Sequence, residues 1–457
     1  MSSAVGEQRA THTGPRVLIL DHVLLVDGKP VHGPGLNTYS TLRRLGAQRI
    51  EYLGHCLEGR YRAHRRTCAR GGKAERIRPS GLPLRCLVRP LDFVYAVSHA
   101  FCLFAFKRHE LCVAVNPLNF VAGWLLRCCG RVGKVVFYTA DYSDVRFGEQ
   151  GEGPSPQPLY QSPEGASASG HGAGQASPRG RGGQKETARR SLALQGRGDR
   201  MLNAWYHRLD RFAVMRADQN WGVSKAICDL RESFLPSGRV VHVPNSPVLS
   251  QFRPLPATEI ARSHLVYVFG KISEPSVLLG RHHFDWLLPA LQDVAARYPE
   301  VRLRLIGRGD FKPLVEPLIP AETLSHRIDF LDIVDREVLV ETLCRAGIGV
   351  ALYDLSGSDH LKYGDSMKIR EYFAAGLPAI TTPGHSVAEE IAEHELGFVV
   401  RNRGELEAAL DTLLGDAELY GRMRQRVLEY AEKTDKERVI SEALRRLLEE
   451  HASKAEG

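Results

Sequence analysis

Short apolar runs alternate with stretches of helical spacing along most of this chain, and that alternation constrains its fold more than any other feature. Val17-Leu18-Ile19-Leu20, Ile50 to Leu53, Cys112 to Val115 and Val135 to Tyr138 have the length and apolar continuity of strands buried on both faces. Helical patterns lie between them, over Asn37 to Leu45 and Phe120 to Arg127. A second series starts at Leu265, with strands expected at Leu265 to Phe269, Leu303 to Ile306, Ile328 to Leu331, Ile348 to Leu352, Ala379 to Thr381 and Phe398 to Val400. Helices are expected at Phe284 to Arg297, Val338 to Arg345, Lys368 to Ala375 and Val387 to Glu393, and a helical tail over Glu405 to His451. Strands alternating with helices form parallel sheets covered on both faces. The expected fold class is therefore α/β, with two doubly wound, Rossmann-like domains joined near Pro247 to Pro256 and facing across a cleft. At 457 residues the chain is long enough for two such cores.

One segment breaks the pattern. Residues Glu149 to Asp199 are rich in Gly, Ser and Pro and poor in apolar side chains. Such a segment buries too little surface to offset its ordering entropy, so it reads as a disordered insertion. Strand and helix patterning resumes after it, which places it inside the first domain. The expected boundaries are a disordered N-terminus over 1–15, a first domain over 16–246 holding the 149–199 insertion, a second domain over 247–430, and a C-terminal helix and tail over 431–457.

The formal net charge of +8 suggests an anionic partner. The excess is concentrated between Glu58 and Arg78, where eight Arg and Lys face two Glu. That stretch reads either as a solvated loop or as a contact for anionic lipid. Nucleic acid is disfavoured, because Tyr61 is its only aromatic residue and no recognition motif accompanies it. The nine cysteines include no Cys-x-x-Cys pair, which argues against a zinc site and for reduced thiols in a cytoplasmic protein. The N-terminus lacks a signal-peptide stretch, and the most apolar run, Leu91 to Phe106, is too short to cross a bilayer. It reads as a buried helix of the first domain or as one lying on a membrane surface.

The run from Gly364 to Pro378 carries the chemistry. Ser366 suits a helix N-cap, which puts Lys368 in the first turn. A lysine there opposes the helix macrodipole, and a bound anion would remove the conflict. A diphosphate would take backbone N–H bonds from the helix start and the ammonium as counter-ion. Glu371 follows one turn later on the same face, where it could accept bonds from ribose hydroxyls. The same spacing also describes a plain Lys–Glu pair on a helix surface, and spacing alone does not choose between the two.

Met367-Lys368-Ile369-Arg370-Glu371-Tyr372-Phe373-Ala374-Ala375-Gly376-Leu377-Pro378 resembles the Lys-x-x-Glu-Tyr-x-Ala-x-Gly-x-Pro signature of GT-B glycosyltransferases. Val266 to Lys271 resembles the strand and glycine turn that open the donor domain of that fold. Leu305-Ile306-Gly307-Arg308-Gly309 resembles its Ile-Gly-x-Gly turn, and Val243-Pro244-Asn245 its domain junction. The nearest group is similar to the xanthan-type glucuronosyltransferases and related enzymes of polysaccharide biosynthesis. The resemblance implies a donor site of Ser366, Met367, Lys368, Glu371, Tyr353, Gly270 and Lys271, taking a nucleotide sugar, most simply a UDP-sugar. It implies an acceptor-side first domain and a nucleotide-sugar-binding second domain.

Many retaining members of the fold carry a glutamate eight positions before the Glu371 position, and this chain has Tyr363 there. That departure favours an inverting enzyme, which needs a base to deprotonate the acceptor hydroxyl. Asp141, just past the strand Val135 to Tyr138, is the candidate, with Asp144 and Asp21 behind it. Asp141 could equally cap a turn or pair with Arg146. No Asp-x-Asp motif occurs, so no metal and no other cofactor is expected. The acceptor expected is a lipid-linked or polysaccharide intermediate, with the protein peripheral on the inner face of a membrane. A retaining transferase or a sugar-nucleotide epimerase of the same fold is the alternative enzyme. A catalytically silent protein that binds nucleotide or a partner is the alternative outside enzymes.

Overall fold

The computed structural model describes residues 15–455 apart from 24, 27–28, 31–32, 48, 57–62, 70–74, 81–88, 141–199, 272–274, 309–310, 333–334 and 355–361. Within it the chain forms two compact units, Met1–Tyr138 with Phe212–Asn220, and Thr139–Arg211 with Trp221–Gly457. The candidate base Asp141 and the whole of the expected 149–199 insertion lie outside the described residues.

In the first unit β1 (Arg16–Val23) is central. A small antiparallel ribbon, β2 (Leu25–Val26) and β3 (Lys29–Pro30), follows it. Then come β4 (Arg49–Cys56), β5 (Ala63–Ala69), β6 (Glu75–Ser80), β7 (His109–Val115), β8 (Val132–Thr139) and β9 (Gln219–Gly222). Neighbouring strands run β9-β8-β7-β1-β4-β5-β6. The expected parallel pairings hold at β1 with β4, β1 with β7, and β7 with β8. Val17, Leu18, Ile19 and Leu20 are fully buried, as continuous apolar strands under helices must be.

The basic stretch departs from expectation. It contains an antiparallel hairpin, with β4 pairing β5 and β5 pairing β6. Arg65 lies opposite Arg78, and Thr67 opposite Arg76. Charged side chains are a usual device for keeping a sheet edge from recruiting another strand. Arg65 is also drawn inward by buried Glu51, which additionally takes bonds from Lys107 and His109. Burial pushes the Glu51 carboxyl up, but these three partners outweigh it and hold the group well below the usual range. The apolar run forms the helix Arg89–Phe104, with Ala96, Ala100 and Phe104 buried and Val94 and Cys102 exposed. Among the described residues no helix is long and apolar enough to cross a membrane.

The second unit includes the helix Lys225–Glu232 and β10 (Val240–His242). Its own sheet contains β11 (His264–Lys271), β12 (Arg302–Arg308), β13 (Ile328–Asp332), β14 (Ile348–Ala351), β15 (Ala379–Thr381) and β16 (Gly397–Val399). They are parallel, in the order β13-β12-β11-β14-β15-β16. The chain moves outward from β11 to β13, then returns to the other side of β11 with β14. This topological switch lies between β11 and β14, and open sheets bind ligands outside the strand ends at such a point.

Polar caps start the helices around this sheet. The side chains of Ser224, Asp335, Ser366, Asn402 and Asp416 each accept an N–H from the first turn they precede. The tail expected to be helical throughout is three helices, Arg403–Gly415, Ala417–Lys433 and Lys436–Ala455. Asp416 both ends the first and caps the second. Cys112, Cys228 and Cys344 are buried free thiols.

Candidate functional site

The floor at the β11–β14 switch is built by two tyrosines. The ladder between the strands covers only Leu265 to Tyr267 and Ile348 to Val350, so polar groups beyond it need other partners. The Tyr372 hydroxyl accepts the Val268 N–H at 2.9 Å and donates to the Val350 carbonyl at 3.0 Å. The Tyr267 hydroxyl donates to the Leu352 carbonyl at 2.8 Å and lies 3.1 Å from His282 Nδ1. These bonds fix the chain as it leaves β14, immediately before Tyr353.

Tyr353 is pinned from both sides. Its N–H reaches Thr382 Oγ1 at 2.9 Å, and the Thr382 hydroxyl returns a 2.8 Å bond to the Tyr353 carbonyl. The Tyr353 hydroxyl lies 2.9 Å from Ser366 Oγ. Its ring meets His385 edge to face, with centroids 5.3 Å apart. Burial pushes the Tyr353 phenol up to about 12, against the opposing influence of the Ser366 bond.

Ser366 is the N-cap of the helix Met367–Ala374, as expected, and its Oγ accepts the Ile369 N–H. Met367 and Lys368 are the first two helical residues, and the first turn of the helix has no acidic residue to balance the lysine. Lys368 Nζ lies 6.0 Å from the centre of the Tyr353 ring. Burial pushes its ammonium down to about 8, with Glu371 acting in the opposite direction. A half-buried lysine at a helix start, desolvated and set against the dipole, is a cation prepared for an anion.

Glu371 lies one turn on and is 5% exposed, so the pair is not the surface Lys–Glu bridge that spacing also allowed. Its carboxylate pairs instead with Arg336, the first residue of the helix Arg336–Cys344. Burial raises the Glu371 carboxyl above its ordinary value, and Arg336 and Lys368 work against that rise. Arg336 was not singled out in the sequence. No local signal set it apart, because a basic residue at the first helical position also occurs at Lys225 and Arg403.

Behind the helix, Asp365 ties the site to the linker. It accepts the Asn245 N–H at 2.6 Å and the Arg370 Nε–H at 2.9 Å. The Pro244-Asn245 pair therefore holds the residue that precedes the cap. At the end of β11, Gly270 leaves open space, since a Cβ there would meet nothing within 4 Å. Lys271 continues the strand, opposite Arg308 beyond a shift in register, and its side chain lies outside the description. Tyr363 is buried, and its carbonyl accepts the Ser224 hydroxyl at 2.7 Å. The structure thus gathers Tyr353, Ser366, Met367, Lys368 and Glu371 around one helix start. Among the described residues no cluster of His, Cys, Asp and Glu is placed to hold a metal ion.

The fold defined by these sheets is GT-B, with two Rossmann-like α/β units. Residues 268–416, which include the whole helix start, match the family model described as glycosyl transferases group 1. The chain is similar in structure to sucrose-phosphate synthase from Thermosynechococcus elongatus, with a TM-score of 0.58 and 16% identity over 97% of this chain and 100% of that one. It is also similar to alpha,alpha-trehalose 6-phosphate synthase from Burkholderia multivorans, with a TM-score of 0.56 and 12% identity over 97% and 98% of the two chains. A third similar structure, from E. coli, is described as trehalose-6-phosphate bound with UDP-2-fluoro glucose, with a TM-score of 0.54 and 12% identity over 94% and 98%. No curated protein matches the chain in sequence.

Proposed function

We propose that this protein transfers a sugar from a nucleotide donor, a UDP-sugar, to a hydroxyl acceptor. The observation that carries the reading is Lys368, a desolvated cation in the first turn of a capped helix at the topological switch point. The helix N–H groups and the ammonium receive the diphosphate, and Glu371 faces the ribose. Tyr353, Gly270 and Lys271 complete the donor site within residues 247–430, and residues 16–246 serve the acceptor. The description of the E. coli structure as bound with UDP-2-fluoro glucose supports a uridine nucleotide.

In the reaction, Asp141 removes the proton from the acceptor hydroxyl as its oxygen bonds to the anomeric carbon. The bond from that carbon to the diphosphate oxygen breaks, and UDP leaves with the electron pair. Lys368 and the helix start stabilise the charge that grows on the leaving group. Attack opposite the leaving group inverts the anomeric carbon. No metal or other cofactor takes part in this scheme. The donor specificity suggested by resemblance is glucuronosyl, and the acceptor a lipid-linked or polysaccharide intermediate. Exposed Phe106 and Val94, at 90% and 57%, with basic Arg76 and Arg78 in the same unit, support peripheral attachment to an anionic membrane on its cytoplasmic face.

The test is a donor screen that reads UDP release in the presence of acceptor lipid extracts, with Lys368→Ala and Asp141→Asn alongside. The reading expects release from one UDP-sugar, lost in both variants, with an inverted product by NMR. Full turnover by Asp141→Asn would remove the assigned base.

A further inference from the structure

Arg336 stands where a cation is locally unfavourable, at the first position of the helix Arg336–Cys344. Arg336 and Lys368 each lie in the first turn of a helix, and the Glu371 carboxylate is acted on by both. Arg336 Nη1 donates to Glu371 Oε1, and no hydrogen bond to Oε2 is found among the described residues. The guanidinium carbon lies 5.7 Å from the centre of the Phe252 ring, which itself is buried. The Arg336 side chain remains 35% exposed while Glu371 is nearly covered.

We infer that Arg336 is a positioning residue for the nucleoside half of the donor: it anchors one oxygen of Glu371 beside Phe252 and leaves the other turned toward a ribose diol. The inference rests on the donor-site reading given above. A diol offers two O–H donors and is best met by an ionised carboxylate, because a protonated one commits an oxygen as donor. Burial favours the protonated form of Glu371, and the Arg336 charge is the main influence against it. An arginine suits the place because its planar fork lies on an aromatic ring while pairing with a carboxylate.

The experiment compares two probes by calorimetric titration: UDP, and pyrophosphate, which keeps the diphosphate and lacks the nucleoside. Arg336→Ala is expected to weaken UDP by about tenfold or more and pyrophosphate by less than about threefold. In a Glu371→Gln background, Arg336→Ala is expected to add less than about twofold, because a residue acting through another has no further effect once that partner is gone. Should Arg336→Ala fail to fold, Arg336→Lys carries the test, with the same ordering of losses at smaller size. Equal losses for both probes, or full additivity with Glu371→Gln, would overturn the inference. Loss of UDP in Lys368→Ala with UDP retained in Arg336→Ala would remove this inference and leave the donor site standing. A wild-type protein that takes up no UDP would remove both.

Discussion

Arg370 and Glu390 face each other through two parallel hydrogen bonds of 2.8 Å, both side chains buried, behind the helix that carries Lys368 and Glu371. Asp365 closes the network on one side and Tyr430 donates to Glu390 on the other. The helix Met367–Ala374 is thus held by charge on one flank while it presents charge on the other. Removing one partner of a buried pair strands the other without water. Glu390→Gln should therefore cost about 3–5 kcal/mol in urea unfolding. The same pair sets an acid limb. Burial pushes the Glu390 carboxyl up, but Arg370 outweighs it and holds the group at about 2. A depressed carboxyl stabilises the fold above its unfolded value of 4.5, and the contribution fades as pH falls from there toward 2. Glu390→Gln should flatten that limb.

Asp21 should behave in the opposite way. It sits at the far end of β1, 1% exposed, with the Tyr52 hydroxyl donating at 3.0 Å and the His22 N–H at 2.8 Å. Burial raises it to about 7 despite those bonds. A raised carboxyl keeps its proton longer in the folded chain, so stability falls as pH climbs from about 4 to 7. Asp21→Asn should melt later than wild type at pH 8, by up to about 4 kcal/mol, with the difference closing near pH 4. A difference independent of pH would contradict this assignment.

Gly349 in β14 is sterically required. A Cβ there would come within 2.4 Å of the Tyr372 ring. Tyr372 cannot yield without losing its bonds to Val268 and Val350. Gly349→Ala should destabilise by about 1–3 kcal/mol and weaken UDP binding, because the displaced ring belongs to the helix proposed to hold the donor. Thermal melting and titration of the same sample check both halves. Unchanged binding would show that the helix start does not depend on its floor.

Much of this was legible in the sequence for reasons of scale. The strands of the second sheet announce themselves because both their faces are buried, and the cap and lysine of Ser366-Met367-Lys368 follow local rules. Arg336 was not legible, because its partner Glu371 lies 35 residues away and pairing across that gap is a tertiary fact. The β5–β6 hairpin was missed because its arginines mask strand patterning, and only the antiparallel register reveals that Arg65 and Arg78 face each other. The link from Asn245 to Asp365 likewise spans 120 residues. Local chemistry was readable; the partners that aim it were not.

Lys368 should give donor binding a basic limb. Its ammonium is held at about 8 by burial, so it loses charge just above neutral pH. The charged form is the one that meets a diphosphate. UDP affinity should fall by about tenfold between pH 7 and pH 9, and Lys368→Gln should lose that dependence. A wild-type affinity flat across this range would place the anion elsewhere.

The central claim is that the helix start at Ser366-Met367-Lys368 holds a nucleoside diphosphate. Calorimetric titration of UDP into wild type, Lys368→Ala and the control Lys225→Ala tests it most directly, since Lys225 pairs with Glu393 at an exposed position. The account predicts binding by wild type and by Lys225→Ala, and a loss of about tenfold or more in Lys368→Ala. Wild-type affinity in Lys368→Ala would contradict it.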